Sequence, residues 1–300
     1  MNTCLLIMAP GIPENVCVRI RLACEQAAAR RGETLTVIDG LSEVWREATF
    51  SEQMTSTCSC VIAAGGDGTV AAVAHVLIGR GIPLGIIPVG TGNLVARELK
   101  IPMEIEAAVA LQFGPRTTRC LDVMRIQDRI YLLNAGVGVN AAVATRTSRS
   151  GKSFFGIAAY VGIAIWNVLR ARLFTLTVNI DGQSELFKAT DVLISNCGLL
   201  ARGLHPNGPD ILPDDGHLDV CVVCMRSPLQ YPWHYMRRWL GCQRAKEQVV
   251  YERIAKRTIT LSGNRPLPFQ ADGDPVGLTP ITVELLCAAL DVICPEAISH

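Results

Sequence analysis

Five residues, Gly65-Gly66-Asp67-Gly68-Thr69, constrain this chain more than any other stretch. They follow the apolar run "SCVIAA" and precede "TVAAVAHVLIGR", whose spacing predicts a helix from Thr69. Glycine admits positive φ and lets another group come close to the backbone. The helix beyond it aims unpaired N–H groups and the positive end of its dipole at the same spot. Strand, glycine loop and helix in that order predict an α/β unit with a phosphate site. The plain alternative is a tight strand-to-helix turn capped by Asp67. The loop lacks the GK[ST] ending of a Walker A sequence. It is not the GxGxxG dinucleotide fingerprint either, which belongs after the first strand, where "MAPGIPEN" offers one glycine. Asp67 would repel a bare phosphate, so a metal ion is expected to offset it.

A second loop repeats the design. In "PVGTGNLVAREL", residues 88–99, Gly90, Thr91, Gly92 and Asn93 follow a strand and open another helix. Neighbouring parallel strands deliver their C-terminal ends to one edge, which is where α/β proteins bind ligands. Two convergent glycine loops carry far more weight than one.

Around these loops the first third alternates strands ("CLLIMAP", "TLTVID", "SCVIAAGG", "IPLGIIPVG") with helices, the pattern of a largely parallel, Rossmann-like α/β sheet. After Gly114-Pro115 the grammar changes to strand hairpins, one turning at Asp181-Gly182. The expectation is an α/β domain over 1–115. An antiparallel β-sandwich, or a barrel from the same pattern, follows over 116–300, with helical insertions near 152–171 and 228–246.

Composition excludes some classes. At 49% hydrophobic and 18% charged the chain is globular, and a net charge of +1 gives no support to a nucleic-acid groove. The N-terminal apolar run has no basic flank and breaks at Pro10, so it reads as a strand rather than a signal peptide. The apolar stretch 156–169 is short of the roughly 20 residues that span a bilayer. A cytoplasmic protein is expected, with reduced, structural cysteines. Cys221 and Cys224 form a CxxC, but on a strand an odd separation points them to opposite faces, and no second pair lies at zinc spacing.

"GGDGT" followed by "PVGTGN" resembles the diacylglycerol kinase catalytic-domain family, which includes bacterial lipid kinases and sphingosine kinases. The likeness continues in "LLNAGVGVNA" (132–141), in "NCGLLARGLHPNGPDILPDDGHLDV" (196–220) and in "FQADGDP" (269–275). The resemblance implies ATP bound by the N-terminal domain. Gly65, Gly66, Gly68 and Thr69 would cradle its phosphates through backbone N–H groups. Gly90, Thr91, Gly92 and Asn93 would close the other side, and Asp67 would act through Mg²⁺ or ordered water. Asp39 lies where the family often has Thr, beside the nucleotide. The proton acceptor for the attacking hydroxyl falls in Asp272-Gly273-Asp274, where members usually carry Glu in the third place. Asp274 is the expected base and Asp272 its active-site partner, although read blind the triplet is a hairpin turn. A structural Mg²⁺ is implied at Asp215 with the carbonyls of Leu212 and His217, and Asp219 beside them. The plain alternative is a solvated acidic turn.

The chain departs from the family's pattern at "APGIPEN", which lacks Asn-Pro, and at Leu94, where many members have Asp. A lipid kinase meets its substrate at a membrane. Residues 227–246 interleave Trp233, Tyr235 and Trp239 with Arg237, Arg238, Arg244 and Lys246, which suits peripheral contact, and a helix packed on the sandwich is the alternative. A homodimer is compatible with the sequence. The expected activity is phosphoryl transfer to a lipid hydroxyl, most plausibly of diacylglycerol. NAD kinase, which shares GGDGT, is the second enzyme reading, and a catalytically weak nucleotide-binding regulator is the third.

Overall fold

The computed structural model describes residues 2–39, 57–138, 173–198, 211–225 and 250–296. The expected helical segments near 152–171 and 228–246 lie outside the described residues. The chain divides into two compact units. The first takes in Met1–Val123, Cys197–Asp215 and Cys287–His300, and the second Met124–Asn196 and Gly216–Leu286. The division thus comes at Val123/Met124 rather than 115/116, and the first unit draws on three stretches of chain.

The first unit is built from β1 (Thr3–Met8), α1 (Glu14–Arg30), β2 (Thr34–Asp39), β3 (Cys58–Gly65), α2 (Asp67–Leu77), β4 (Leu84–Pro88), α3 (Leu94–Glu98), α4 (Ile105–Phe113) and most of β5 (Thr117–Ile126). Its sheet runs β2-β1-β3-β4, all parallel. β1 and β3 are near-continuous apolar runs because helices cover both faces of such a sheet, and Leu5, Leu6, Ile7 and Ile62 are buried. Helix α1 ends as expected at Gly32 (φ +68°), with the Gly32 and Glu33 N–H groups folded back onto the Ala29 and Ala28 carbonyls. Helix α2 begins at Asp67, two residues before the sequence suggests, so the glycine loop itself supplies its first turn.

The second unit adds β6 (Arg129–Tyr131), β7 (Asn134–Gly138), β8 (Phe174–Ile180), β9 (Gln183–Ala189), β10 (Asp191–Ser195), β11 (Leu218–Val223), β12 (Val250–Ala255), β13 (Thr258–Gly263), β14 (Pro268–Ala271), β15 (Asp274–Leu278) and the first half of β16 (Ile281–Cys294). One antiparallel sheet runs β16-β13-β8-β9 and the other β12-β11-β10-β7-β14-β15. Alternating residues from both pack into one core. Leu176, Val178, Ile259 and Leu261 meet Val137, Val192, Val220 and Phe269 there, making a β-sandwich.

Strand β16 is longer than the expected "ITVELLCA" and serves both units. Its first half pairs with β13, and Val292 near its end lies parallel to Leu84 of β4. Between them Ala288 takes a left-handed conformation (φ 46°), and the Asp122 carboxylate accepts its N–H at 2.7 Å. The CxxC is split as its spacing demands. Cys221 packs with Leu193 and Val223 on one side of the sheet, and Cys224 against the sandwich core on the other.

Candidate functional site

Strands β3 and β4 pair with Gly65 opposite Pro88, so the two glycine loops leave the sheet side by side. The loops are interlocked. A Cβ added at Gly90 would lie 2.4 Å from the Gly66 Cα, and one at Gly65 would strike the Thr69 side chain at 2.5 Å. Asn93 adopts φ 49° and is almost fully buried; its side chain takes the Gly90 N–H at 2.9 Å and gives one back to the Gly90 carbonyl at 2.7 Å. Asp67 crosses from one loop to the other, accepting the Val95 N–H at 3.0 Å in the first turn of α3. Its second oxygen would sit 3.0 Å from a Cβ at Gly92.

Gly65 and Gly90 are therefore dictated by neighbouring protein atoms, while a Cβ at Gly66 or Gly92 would be tight, at 3.3 and 3.0 Å. Gly68 is under no such constraint. It is exposed, with nothing within 4 Å of its missing Cβ, and Thr91 on the facing loop is exposed too. That pair marks the open mouth of the double loop. Two groups from the expected cradle are otherwise engaged, because the Thr69 N–H donates to the Gly66 carbonyl at 2.9 Å and the Gly90 N–H to Asn93. Asp39 closes β2, its backbone in register with Met8.

The turn at Leu212–Asp215 is braced on β5. Arg119 donates twice to Asp214 Oδ2, at 2.6 and 3.0 Å, and the Asp122 N–H reaches the Pro213 carbonyl at 2.7 Å. Asp215 Oδ2 faces the Leu212 N–H at 3.4 Å. His217 Nε2 and Asp219 Oδ2, at the start of β11, stand 3.9 Å apart. Among the described residues no three His, Cys, Asp or Glu side chains converge as a metal cluster. The expected donor set, the Asp215 carboxylate with the carbonyls of Leu212 and His217, would be all hard oxygen. Magnesium keeps several waters and needs only one or two carboxylates, so this donor chemistry fits it.

In the second unit the triplet Asp272-Gly273-Asp274 joins β14 to β15. Asp272 and Gly273 both have positive φ, 49° and 89°, which makes a type I′ hairpin turn. The Asp272 carboxylate points back into the turn between β6 and β7, where it accepts the N–H groups of Leu132, Leu133 and Asn134 at 2.7, 2.9 and 3.0 Å. Such an acceptor is held in its charged form and in place. Asp274, by contrast, is exposed on the outermost strand. Gln270, fully buried, accepts the Gly273 N–H and donates to Asn134 Oδ1 at 3.2 Å. Burial pushes the nearby Tyr131 phenol above its usual range, and the negative charges of Asp272 and Asp274 add to that shift while Arg129 opposes it.

Sequence reasoning missed Arg119, Asp122 and Gln270. Asp122 left a signal, a lone carboxylate inside the apolar run "CLDVM", and it is almost fully buried. Charged groups seldom occupy such positions unless they hold something. The segments 139–141, 199–210 and 227–246, which carry other parts of the sequence reading, lie outside the described residues.

Known proteins match both units. Residues 18–126 match the diacylglycerol kinase catalytic domain, and residues 134–294 the YegS C-terminal NAD kinase beta sandwich-like domain. An uncharacterised protein of Synechocystis is 30% identical over 79% of this chain, which spans 55% of that protein's length. A diacylglycerol kinase of Staphylococcus haemolyticus is 28% identical over 79% of this chain and 72% of its own. The crystal structure of a diacylglycerol kinase from Bacillus anthracis superposes with a TM-score of 0.75 at 23% identity, covering 99% of both chains.

Proposed function

We propose that this chain, which belongs to the diacylglycerol kinase-like lipid kinase family, transfers the γ-phosphoryl group of ATP to the hydroxyl of a lipid, most plausibly diacylglycerol or a close relative. The observation that carries the reading is the interlocked pair of glycine loops at adjacent strand ends, with Gly68 and Thr91 exposed. Phosphoryl transfer asks a protein for positioning and charge neutralisation more than for covalent chemistry. Backbone N–H groups at the start of α2 receive the phosphates, with Thr91 opposite them and Asp39 beside the nucleotide. Asp67 fixes α3 to the first loop through Val95, so its first service is to hold the two loops in register.

The lipid hydroxyl loses its proton as it attacks, and Asp274 is the carboxylate free to approach it. Asp272 is committed to three backbone donors and therefore aims the turn rather than moving a proton. A structural magnesium, held by Asp215 with the Leu212 and His217 carbonyls and Asp219 beside them, would brace this turn, and magnesium reached through Asp67 would offset the charge of the phosphates. Among the described residues no helix is long and apolar enough to cross a membrane. The reading accordingly places the protein in the cytoplasm and brings it to a membrane surface peripherally, through residues 227–246.

The test is γ-phosphate transfer from labelled ATP with Mg²⁺, offering diacylglycerol, sphingosine, phosphatidylglycerol and NAD in mixed micelles, with Asp274→Asn alongside. Label in one lipid, lost in the variant, is the expected result and names the acceptor. Label in NAD alone moves the assignment to an NAD kinase. ATP binding without transfer to any of the four acceptors overturns the reading in favour of a nucleotide-binding regulator.

A further inference from the structure

The strand ends opposite the glycine loops hold a second arrangement that phosphoryl transfer does not use. Cys4 on β1 and Cys60 on β3 are direct register partners, and their sulfurs stand 3.1 Å apart. That is inside the roughly 3.5–4.0 Å at which even non-bonded carbons rest. Both residues are wholly buried. Neighbouring strands run about 4.8 Å apart, within the range of Cα separations that a disulfide spans. The pairing register slips beside the pair: Thr3 faces Cys58 and Cys4 faces Cys60, so Ser59 is an extra residue, its hydroxyl donating to the Thr3 carbonyl at 3.3 Å. Bulges of this kind raise the local twist and re-aim side chains.

The two thiols are not equivalent. The hydrogen bond between the two sulfurs, together with burial, pushes Cys4 far up. The same hydrogen bond, helped by the Arg116 charge and opposed by burial, favours the thiolate at Cys60. Burial pushes Cys24 on α1 up to about 12.

We propose that Cys4 and Cys60 are a dithiol modification site that hydrogen peroxide converts to an intramolecular disulfide. The Cys60 thiolate attacks a peroxide oxygen; an S–O bond forms, the O–O bond breaks, and hydroxide leaves as water with the Cys60 proton. The Cys4 sulfur then attacks the Cys60 sulfur, the S–S bond forms, the S–O bond breaks, and the second oxygen leaves as water with the Cys4 proton. Two thiols lose two electrons and one peroxide becomes two waters. The product joins β1 to β3, the strands that end in "MAPG" and in the GGDGT loop. Because both sulfurs are buried, oxidation proceeds through local opening of the sheet and speeds up in mild denaturant. None of this depends on the kinase reading.

The experiment treats the full chain with hydrogen peroxide, with and without sub-denaturing urea, then denatures it, alkylates free thiols and maps non-reduced peptides by mass spectrometry. The expected product is one peptide pair joined through Cys4 and Cys60, two hydrogens lighter than its parts. It should be returned to free thiols by dithiothreitol, lost in Cys60→Ser and retained in Cys58→Ser. The oxidised protein should melt above the reduced one. Should Cys60→Ser fail to fold, Cys4→Ala and the wild-type crosslink map carry the test. Joining of Cys60 to Cys58 or Cys24 overturns the proposal. So does sulfinic acid at Cys60 beside an alkylated Cys4, or alkylation of both Cys4 and Cys60 after the half-buried Cys58 has been oxidised.

Discussion

The second unit contains the same turn twice. Asp181-Gly182 joins β8 to β9 with φ values of 50° and 91°, and Asp272-Gly273 joins β14 to β15 with 49° and 89°. In each the aspartate folds back onto another turn and accepts three backbone N–H groups. Asp181 takes those of Lys256, Arg257 and Thr258 at 2.8, 2.9 and 2.8 Å, and Asp272 those of Leu132, Leu133 and Asn134. The two share one turn geometry and one hydrogen-bonding scheme. They differ in the residue that follows and in the surroundings. Gln183 follows the first, where Asn179 accepts the Gly182 N–H and donates to the Ser184 hydroxyl. Asp274 follows the second, beside Tyr131, Gln270 and Asn134. The lesson is that an aspartate held by three N–H groups is a clasp, and on the proposed reading it is the residue the clasp presents that moves the proton.

The largest expected effect tests that division. Asp274→Asn should lower kcat by about 10²–10⁴-fold, the usual contribution of a general base, while shifting stability by less than about 0.5 kcal/mol, as for an exposed residue. A loss of folding stability in this variant would erase the contrast between clasp and presented residue. Next comes Asp272→Ala, which leaves three partly buried donors unmet and should cost about 3 kcal/mol. In urea the midpoint should fall with an unchanged slope, and any loss of transfer should follow the loss of fold.

The same change at Asp181 should cost less, about 1 kcal/mol, because water replaces the carboxylate at that exposed turn. Its pH dependence has a definite sign. Burial pushes the Asp181 carboxyl up, but the three N–H donors outweigh it and hold the group below the usual aspartate range. A depressed folded-state pKa gives stability that is fully present above the unfolded value, near 3.9, and lost as pH falls through the folded one. The stability gap between wild type and Asp181→Asn should therefore be constant down to about pH 4 and close below it. The smallest effect is expected from Gln183→Asp, which writes Asp-Gly-Asp at the first turn. Stability should move by less than about 0.5 kcal/mol, and no transfer activity should be gained in an Asp274→Asn background.

Much of this was legible in the residues. Asp-Gly between alternating runs gave both hairpins, the glycine loops gave the strand–helix junctions, and odd spacing separated Cys221 from Cys224. Each is a local rule acting over a few residues. What stayed hidden depends on which strands lie side by side. No spacing announces that Asp67 will accept the N–H of Val95, or that Arg119 and Asp122 will hold the 212–215 turn. The return of β16 to β4 through Ala288 is of the same kind, a left-handed residue at an alanine that no propensity selects. The family resemblance also presented the N–H group of Thr69 as a donor for a phosphate, and only the folded loop reveals its internal acceptor, the Gly66 carbonyl.

The meeting of Gly66 with Gly90 bears on how this chain can change over time. A side chain at Gly90 meets backbone, 2.4 Å from the Gly66 Cα, and no residue smaller than glycine exists to make way. Most packing faults in a protein can be repaired by trimming a partner; a side chain at Gly90 has no such repair. That position is an evolutionary dead end, and drift in its loop must pass around it, whereas a Cβ at Gly66 would stand 3.3 Å from Gly90. A library randomised at both should return glycine at 90, while Gly68, with open space before it, should accept alanine in any selection for folding alone.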